Sequence, residues 1–265
     1  MLLRCIRAES RKLHASPVWL MFLLLPTLSA GYGTFNYLQN LDILSEGWYS
    51  LWTQHTLFYS LLFFPALVAV YAAYLWRLEH LGHNWNLLMT APVPRFGVFF
   101  AKFAAVVQLV LLTQGLTFLL YLLCGKVFAH LEGWPPVETF WFLMRGVLGG
   151  LPVAAAQLLL SMLVRGFAAP VLWALMGGVA GMLAASRGLG LWWPYALMQL
   201  GMNSNRSEDL LSGSMGSFVL ASLVWLLAFL TAAACLLEKR DVKARKSKQK
   251  RYAHVTEWTR NLVIL

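Results

Sequence analysis

Residues 51–74 read LWTQHTLFYSLLFFPALVAVYAAY, a segment without a single charged side chain. The hydrocarbon core of a bilayer is about 30 Å thick, and a helix crosses it with about 20 residues. This segment is therefore long and apolar enough to span a membrane as one helix. Five other segments share this character, so the sequence predicts six transmembrane helices. The other five are residues 17–38, 96–124, 140–164, 167–185 and 214–237.

The composition of the whole chain favours the same class of protein. Of its 265 residues, 59% are hydrophobic and only 12% are charged, whereas soluble domains are about 45–50% apolar and about 25% charged. A soluble fold of this size would lack the polar surface that water requires. We therefore predict an all-α integral membrane protein, with a single transmembrane domain over residues 1–240 and a basic cytoplasmic tail over residues 241–265.

The net charge of +10 is concentrated at the ends of the apolar segments. If the N-terminus lies inside the cell, 17 of the 21 lysines and arginines fall on the cytoplasmic side. Cytoplasmic loops of membrane proteins carry such an excess of positive charge. This pattern predicts that both termini are cytoplasmic, and it explains the basic charge without nucleic-acid binding.

Residues 1–16 have the pattern of a helix with one basic face. The basic residues of that face are Arg4, Arg7, Arg11 and His14. A helix of this kind lies in the headgroup layer, with its apolar side down and its cations near anionic lipid. The alternative is a charged flank that only fixes the topology.

Residues 77–92 have the pattern of a short amphipathic helix in the first cytoplasmic loop. Its apolar face holds Leu78, Leu81, Trp85 and Leu88, and its polar face holds Glu79, His83 and Asn86. The sequence leaves two interpretations open: a docking element for a soluble partner, or an ordinary surface helix on the membrane.

Few polar residues interrupt the predicted spans. They are Gln54, His55, Gln108, Gln114, Gln157 and Arg145. Each of the first five belongs either to a transport path or to a hydrogen bond between helices. Arg145 lies near an outer end, so we expect it to extend to the headgroups. No span carries Asp or Glu near its centre, which argues against a proton-coupled transporter.

The fifth predicted span carries small residues four positions apart. The pairs are Gly177 with Gly181 and Ala174 with Gly178. Such pairs allow close packing, either within the bundle or against a neighbouring membrane subunit.

A run of residues in the first cytoplasmic loop carries a family resemblance. It comprises Arg77-Leu78-Glu79-His80, Gly82, Trp85, Leu88 and Pro92-Val93-Pro94-Arg95, followed by Lys102. The run resembles the permease subunits of type 2 ATP-binding-cassette (ABC) exporters, in the branch associated with lantibiotic and bacitracin self-protection. The layout of residues 1–240 is similar as well.

The resemblance implies roles for two segments. The first cytoplasmic loop would be a coupling helix that sits in a groove of a separate ATPase, with Glu79 paired to a basic residue there. The ATPase-coupling residues would be Glu79, His83, Trp85, Leu88 and Pro92. The loop before the sixth span would form short re-entrant helices near an outer gate, with Trp192, Trp193 and Tyr195 as gate candidates.

The resemblance also implies the partners and the location. We expect two copies of an ABC ATPase that binds ATP and magnesium, and a second permease, identical or paralogous. We also expect the chain to contact membrane lipid, to act on a peptide substrate and to lie in the bacterial plasma membrane. The sequence itself contains no phosphate-binding loop of the G-x-x-x-x-G-K-[ST] type and no pattern that indicates a catalytic site, a metal site or a bound cofactor. The alternative function is a membrane scaffold or sensor without a transport path.

Overall fold

The computed structural model describes residues 2–14, 16–81, 94–206 and 208–239. The predicted basic tail lies outside these residues. The described chain folds into eight α-helices and a 3₁₀ turn at Gly190–Trp192. The helices are α1 (Leu2–His14), α2 (Val18–Gln39), α3 (Trp48–His80), α4 (Arg95–Val127), α5 (Val137–Leu163), α6 (Ala168–Ser186), α7 (Ala196–Gly201) and α8 (Met215–Lys239).

Six helices in the described part of the chain, α2 to α6 and α8, are long and apolar enough to cross a membrane. The predicted all-α membrane fold with six spans is confirmed. One end of the bundle holds α1, His80 and Arg95, and we call it the α1 end. The other holds the loops 40–47 and 128–136, and we call it the loop end.

Helix α3 is the central element of the bundle. It contacts α2, α4, α5 and α6, and 78% of its most apolar stretch is buried inside the protein, compared with 28% for α6 and 11% for α8. Because α3 is enclosed by protein, lipid contact falls mainly on the outer helices. One turn of α3, Tyr59–Phe63, is π-helical.

The segment between α6 and α8 folds back into the bundle as a re-entrant segment, residues 190–201. The Tyr195 ring lies against Gly177, the middle residue of α6 (Ala168–Ser186). On the other side, Gly149 of α5 faces the backbone of Leu197. The segment therefore reaches about half the depth of the bundle.

The small residues of α6 pack against the chain's own elements. A side chain at Gly177 or Gly181 would collide with Tyr195 or Ala196, and one at Gly178 would meet the carbonyl oxygen of Leu61 in α3. Of the two interpretations of these glycines, packing within the bundle is the one that the structure supports.

Candidate functional site

Four charged residues from three helices meet at the α1 end, and we call them the ion cluster. Lys102 Nζ of α4 lies 2.8 Å from Glu9 Oε2 of α1 and 2.8 Å from Glu79 Oε1 of α3. Lys12 Nζ of α1 lies 2.8 Å from Glu9 Oε1 and 2.6 Å from Glu79 Oε1. With two cations and two carboxylates, the cluster is neutral.

The ion cluster is buried, so its charges need partners within the protein. The Lys102 side chain is 0% exposed and both glutamates are 6% exposed. Lys102 Nζ also donates to the carbonyl of Leu75 at 3.2 Å and lies 5.1 Å from the centre of the Trp76 ring. A buried charge is tolerated only with such partners, so the positions of α1, α3 and α4 depend on one another.

Lys12 lies at the more exposed side of the cluster. Burial lowers its pKa, but the hydrogen bonds to Glu79 and Glu9 and the negative charges of both carboxylates together outweigh burial and leave the pKa above its ordinary value. Lys12 therefore stays charged at physiological pH and continues to bind both carboxylates.

The ion cluster fixes the orientation of α1. Glu9 and Leu13 face the protein, and Ser10 Oγ donates to Gln108 Oε1 of α4 at 3.0 Å. The predicted basic face points away from the protein, with all four of its residues exposed: Arg4, Arg7, Arg11 and His14.

The pairing of Glu79 with a basic residue of an ATPase, which the family resemblance implies, stays a prediction. Within its own chain, the Glu79 carboxylate binds two lysines. The reason is that Glu79 lies on the face of α3 turned towards α1 and α4. The other coupling candidates, His83, Trp85, Leu88 and Pro92, lie outside the described residues.

Sequence reasoning missed the ion cluster although two signals point to it. Lys102 lies within the predicted span 96–124, near its cytoplasmic end, where a cation surrounded by apolar residues needs a partner. Glu9 is the only carboxylate before Asp42. What the sequence does not show is the fold that brings these residues together.

Gln54 and His55 of α3 both bind α2. Asn36 Nδ2 donates to Gln54 Oε1 at 2.6 Å, and His55 Nε2 lies 2.8 Å from Thr34 Oγ1. At Gly33, the absence of a side chain brings the two backbones together. These contacts join α2 to α3.

Gln114 and Gln157 also join separate elements. Tyr59 Oη of α3 donates to Gln114 Oε1 of α4 at 3.2 Å, and Gln157 Nε2 of α5 donates to Tyr195 Oη of the re-entrant segment at 2.6 Å. Gln108, in contrast, is exposed on the surface beside α1. Each candidate for the transport path therefore has a bonding partner on a neighbouring element.

The three gate candidates have different environments. Trp192 is 77% exposed, Trp193 Nε1 donates to the Gly177 carbonyl at 2.8 Å, and Tyr195 is buried against Gln157. The rings of Trp193 and Tyr195 lie beside each other, with their centres 6.3 Å apart, and the role of all three at a gate stays a prediction.

Arg145 corrects another expectation. It does not extend to the headgroups: it is 8% exposed and binds Asp209 with two hydrogen bonds of 3.0 Å. Its guanidinium lies 4.6 Å from the centre of the Phe142 ring. Asp209 lies in the loop before α8, so this pair attaches that loop to α5.

These features define an α-helical membrane protein with multiple spans and a charged network at one end. Residues 5–181 match a family model described as ABC-2 family transporter protein, and the chain belongs to this family. The matched region extends from α1 into α6 and contains the whole ion cluster. No curated protein matches the chain.

Family membership identifies the general role. The chain is a permease subunit of an ABC exporter, a membrane component that works with a separate ABC ATPase. The resemblance recognised in the sequence is confirmed at this level.

Proposed function

We propose that this permease protects a bacterial cell by exporting an antimicrobial peptide, with ATP and magnesium bound in two copies of its ATPase. The ion cluster is the observation that carries the coupling part of the proposal, because it joins the two helices that flank residues 82–93. The assignment of a peptide substrate rests on the sequence run between Arg77 and Lys102, which resembles permeases of the lantibiotic and bacitracin branch.

The proposed orientation places the α1 end in the cytoplasm of a bacterial plasma membrane. The excess of Lys and Arg at that end supports this orientation, as does the outward basic face of α1, which suits anionic headgroups. In this orientation the connection between α3 and α4 faces an ATPase in the cytoplasm.

The ion cluster gives this connection a mechanical role. Glu79 lies one residue before the last residue of α3, and Lys102 lies in the first turns of α4. Because both bind α1 as well, a force on residues 82–93 moves the three helices together. We propose that His83, Trp85, Leu88 and Pro92 contact the ATPase, while Glu79 holds the end of α3.

A second permease, identical or paralogous, completes the proposed exporter. Helices α6 and α8 are the most exposed of the six candidate spans. Their apolar faces suit either lipid or the second permease.

Replacing Trp85 with alanine tests this function. A buried Trp is a typical interface anchor, and its loss costs about 2 kcal/mol or more, roughly a thirtyfold loss of affinity. We expect Trp85→Ala to reduce the ATPase recovered with the tagged chain from native membranes, and to increase the sensitivity of the cells to the exported peptide.

Trp134→Ala is the matched control, because Trp134 is 79% exposed at the loop end. It should leave ATPase recovery and resistance unchanged. Normal ATPase recovery without protection against any lantibiotic or bacitracin tested would overturn the peptide substrate. Failure of the wild-type chain to recover an ATPase would favour the scaffold alternative.

A further inference from the structure

A cavity of about 210 Å³ lies at the loop end, between α3, α6 and the stretch around residues 199–210. A water molecule occupies about 30 Å³ of liquid, so the cavity has room for about seven. One part of its wall is apolar and consists of Leu57, Leu61, Met182 and Leu200. The cavity is too small for a whole lipid and large enough for a headgroup.

Three local departures from regular backbone geometry meet at this cavity. The π-helical turn of α3 contributes Ser60 and Leu61. Asn203 and Asn205 have positive φ values of 51° and 53°. Residues other than glycine adopt a positive φ only uncommonly. Both π-helical turns and strained backbone concentrate at functional sites.

Hydrogen bonds hold this backbone in place. Ser60 Oγ lies 2.7 Å from Ser204 Oγ and so links the π-helical turn to the loop. Asn203 Nδ2 donates to Tyr49 Oη at 2.8 Å and to the Glu208 carbonyl at 3.1 Å. The cavity wall is therefore an ordered surface that carries hydroxyl groups.

Arg206 supplies a positive charge to the same cavity. Among the described residues, no carboxylate lies within ion-pair distance of Arg206: Asp209 is bound by Arg145, and Glu208 is exposed. A half-buried guanidinium beside an apolar wall suits an anion attached to an apolar chain. Arginine binds phosphate through paired N–H groups.

We propose that this cavity binds the phosphate group of an anionic amphiphile. The phosphate contacts Arg206 and the hydroxyl of Ser204, which the buried Ser60 holds in place, and the adjoining carbons pack against Leu57 and Leu61. A nucleotide fits less well, because the described lining contains no aromatic ring for a base to stack on. This site is independent of the peptide substrate and of the ATPase contact proposed above.

The test measures lipid binding to the purified full-length chain by native mass spectrometry. The probe is dioleoylphosphatidylglycerol, compared with dioleoylglycerol, which lacks the phosphate, and glycerol 3-phosphate, which lacks the chains. We expect the wild-type chain to bind the phospholipid about tenfold more tightly than either comparison compound.

Two variants with matched controls connect this binding to the cavity. Arg206→Gln should weaken phospholipid binding about tenfold, whereas Arg187→Gln, at the exposed arginine that directly follows α6, should not. Met182→Trp should narrow the cavity and weaken binding with the charge intact, whereas Met176→Trp should not. Met176 lies on the same helix and is 66% exposed.

Equal losses in Arg206→Gln and Arg187→Gln would show nonspecific attraction and overturn the proposal. Equally tight binding of dioleoylglycerol would show that the phosphate does not contribute to binding, and it would overturn the proposal. Equally tight binding of glycerol 3-phosphate would indicate a site for a free anion and overturn the assignment to an amphiphile.

Discussion

Lys102→Met is expected to destabilise the protein by about 3–5 kcal/mol, because it leaves two buried carboxylates with one lysine. Lys102 is fully buried and binds Glu9 and Glu79 directly. Without it, the ion cluster carries a net negative charge in a place from which water is excluded. Thermal unfolding in detergent, followed by the fluorescence of the 12 tryptophans, measures the effect.

The same substitution at Lys126 is the control. Lys126 lies on α4 as well, is exposed, and donates to the carbonyls of Leu131 and Gly133. Exposed interactions of this kind contribute little, so Lys126→Met should cost less than about 1 kcal/mol. Equal unfolding temperatures for the two variants would contradict the account of the ion cluster.

A double variant separates charge balance from packing. In Lys102→Met with Glu79→Gln, the remaining Glu9 and Lys12 are neutral together. We expect it to recover part of the lost stability, since groups in one network couple by about 0.5–3 kcal/mol.

Gly149→Leu should displace the re-entrant segment and destabilise the fold by about 1–3 kcal/mol, the usual cost of overpacking. A Cβ atom at Gly149 would overlap the carbonyl of Leu197, a backbone group that cannot rotate aside. Leucine is a better helix former than glycine, which lies about 0.8–1 kcal/mol below alanine in helix propensity, so the destabilisation has a steric cause.

Gly115→Leu is the control for this prediction. Apart from the neighbouring backbone of its own helix, no atom of the described residues lies within 4 Å of the position that a Cβ atom would take at Gly115, so this variant should be neutral or more stable. A cysteine at position 197, in a chain without the three native cysteines, reports displacement through maleimide labelling. Leu197 is fully buried, so Gly149→Leu should speed the labelling, and an unchanged rate would contradict the packing described here.

The six spans could be predicted from the sequence because each is a long apolar run. The ends of α3 could not be predicted in the same way. The sequence predicted a span over residues 51–74, but the helix extends over Trp48–His80. Its last turns contain Glu79, which the sequence placed on the polar face of a separate short helix over residues 77–92. These turns stay helical and buried because Lys12 and Lys102 bind the charge of Glu79.

The ion pairs could not be predicted from the sequence because the two residues of each pair are far apart along the chain. Lys102 and Glu9 are 93 positions apart, and Arg145 and Asp209 are 64 apart. No local period relates such residues. The polar residues of the spans were found from the sequence, but their partners, such as Tyr195 for Gln157, required the path of the re-entrant segment.

Site-specific photocrosslinking tests whether the ATPase binds at the connection between α3 and α4. The crosslinker p-benzoylphenylalanine would replace Leu81, at the end of α3, or Leu41, at the loop end. The two leucines are 55% and 51% exposed. We expect ATPase adducts from position 81 and none from position 41. Adducts from position 41 alone, or none from position 81 in a complex that still contains the ATPase, would contradict this expectation.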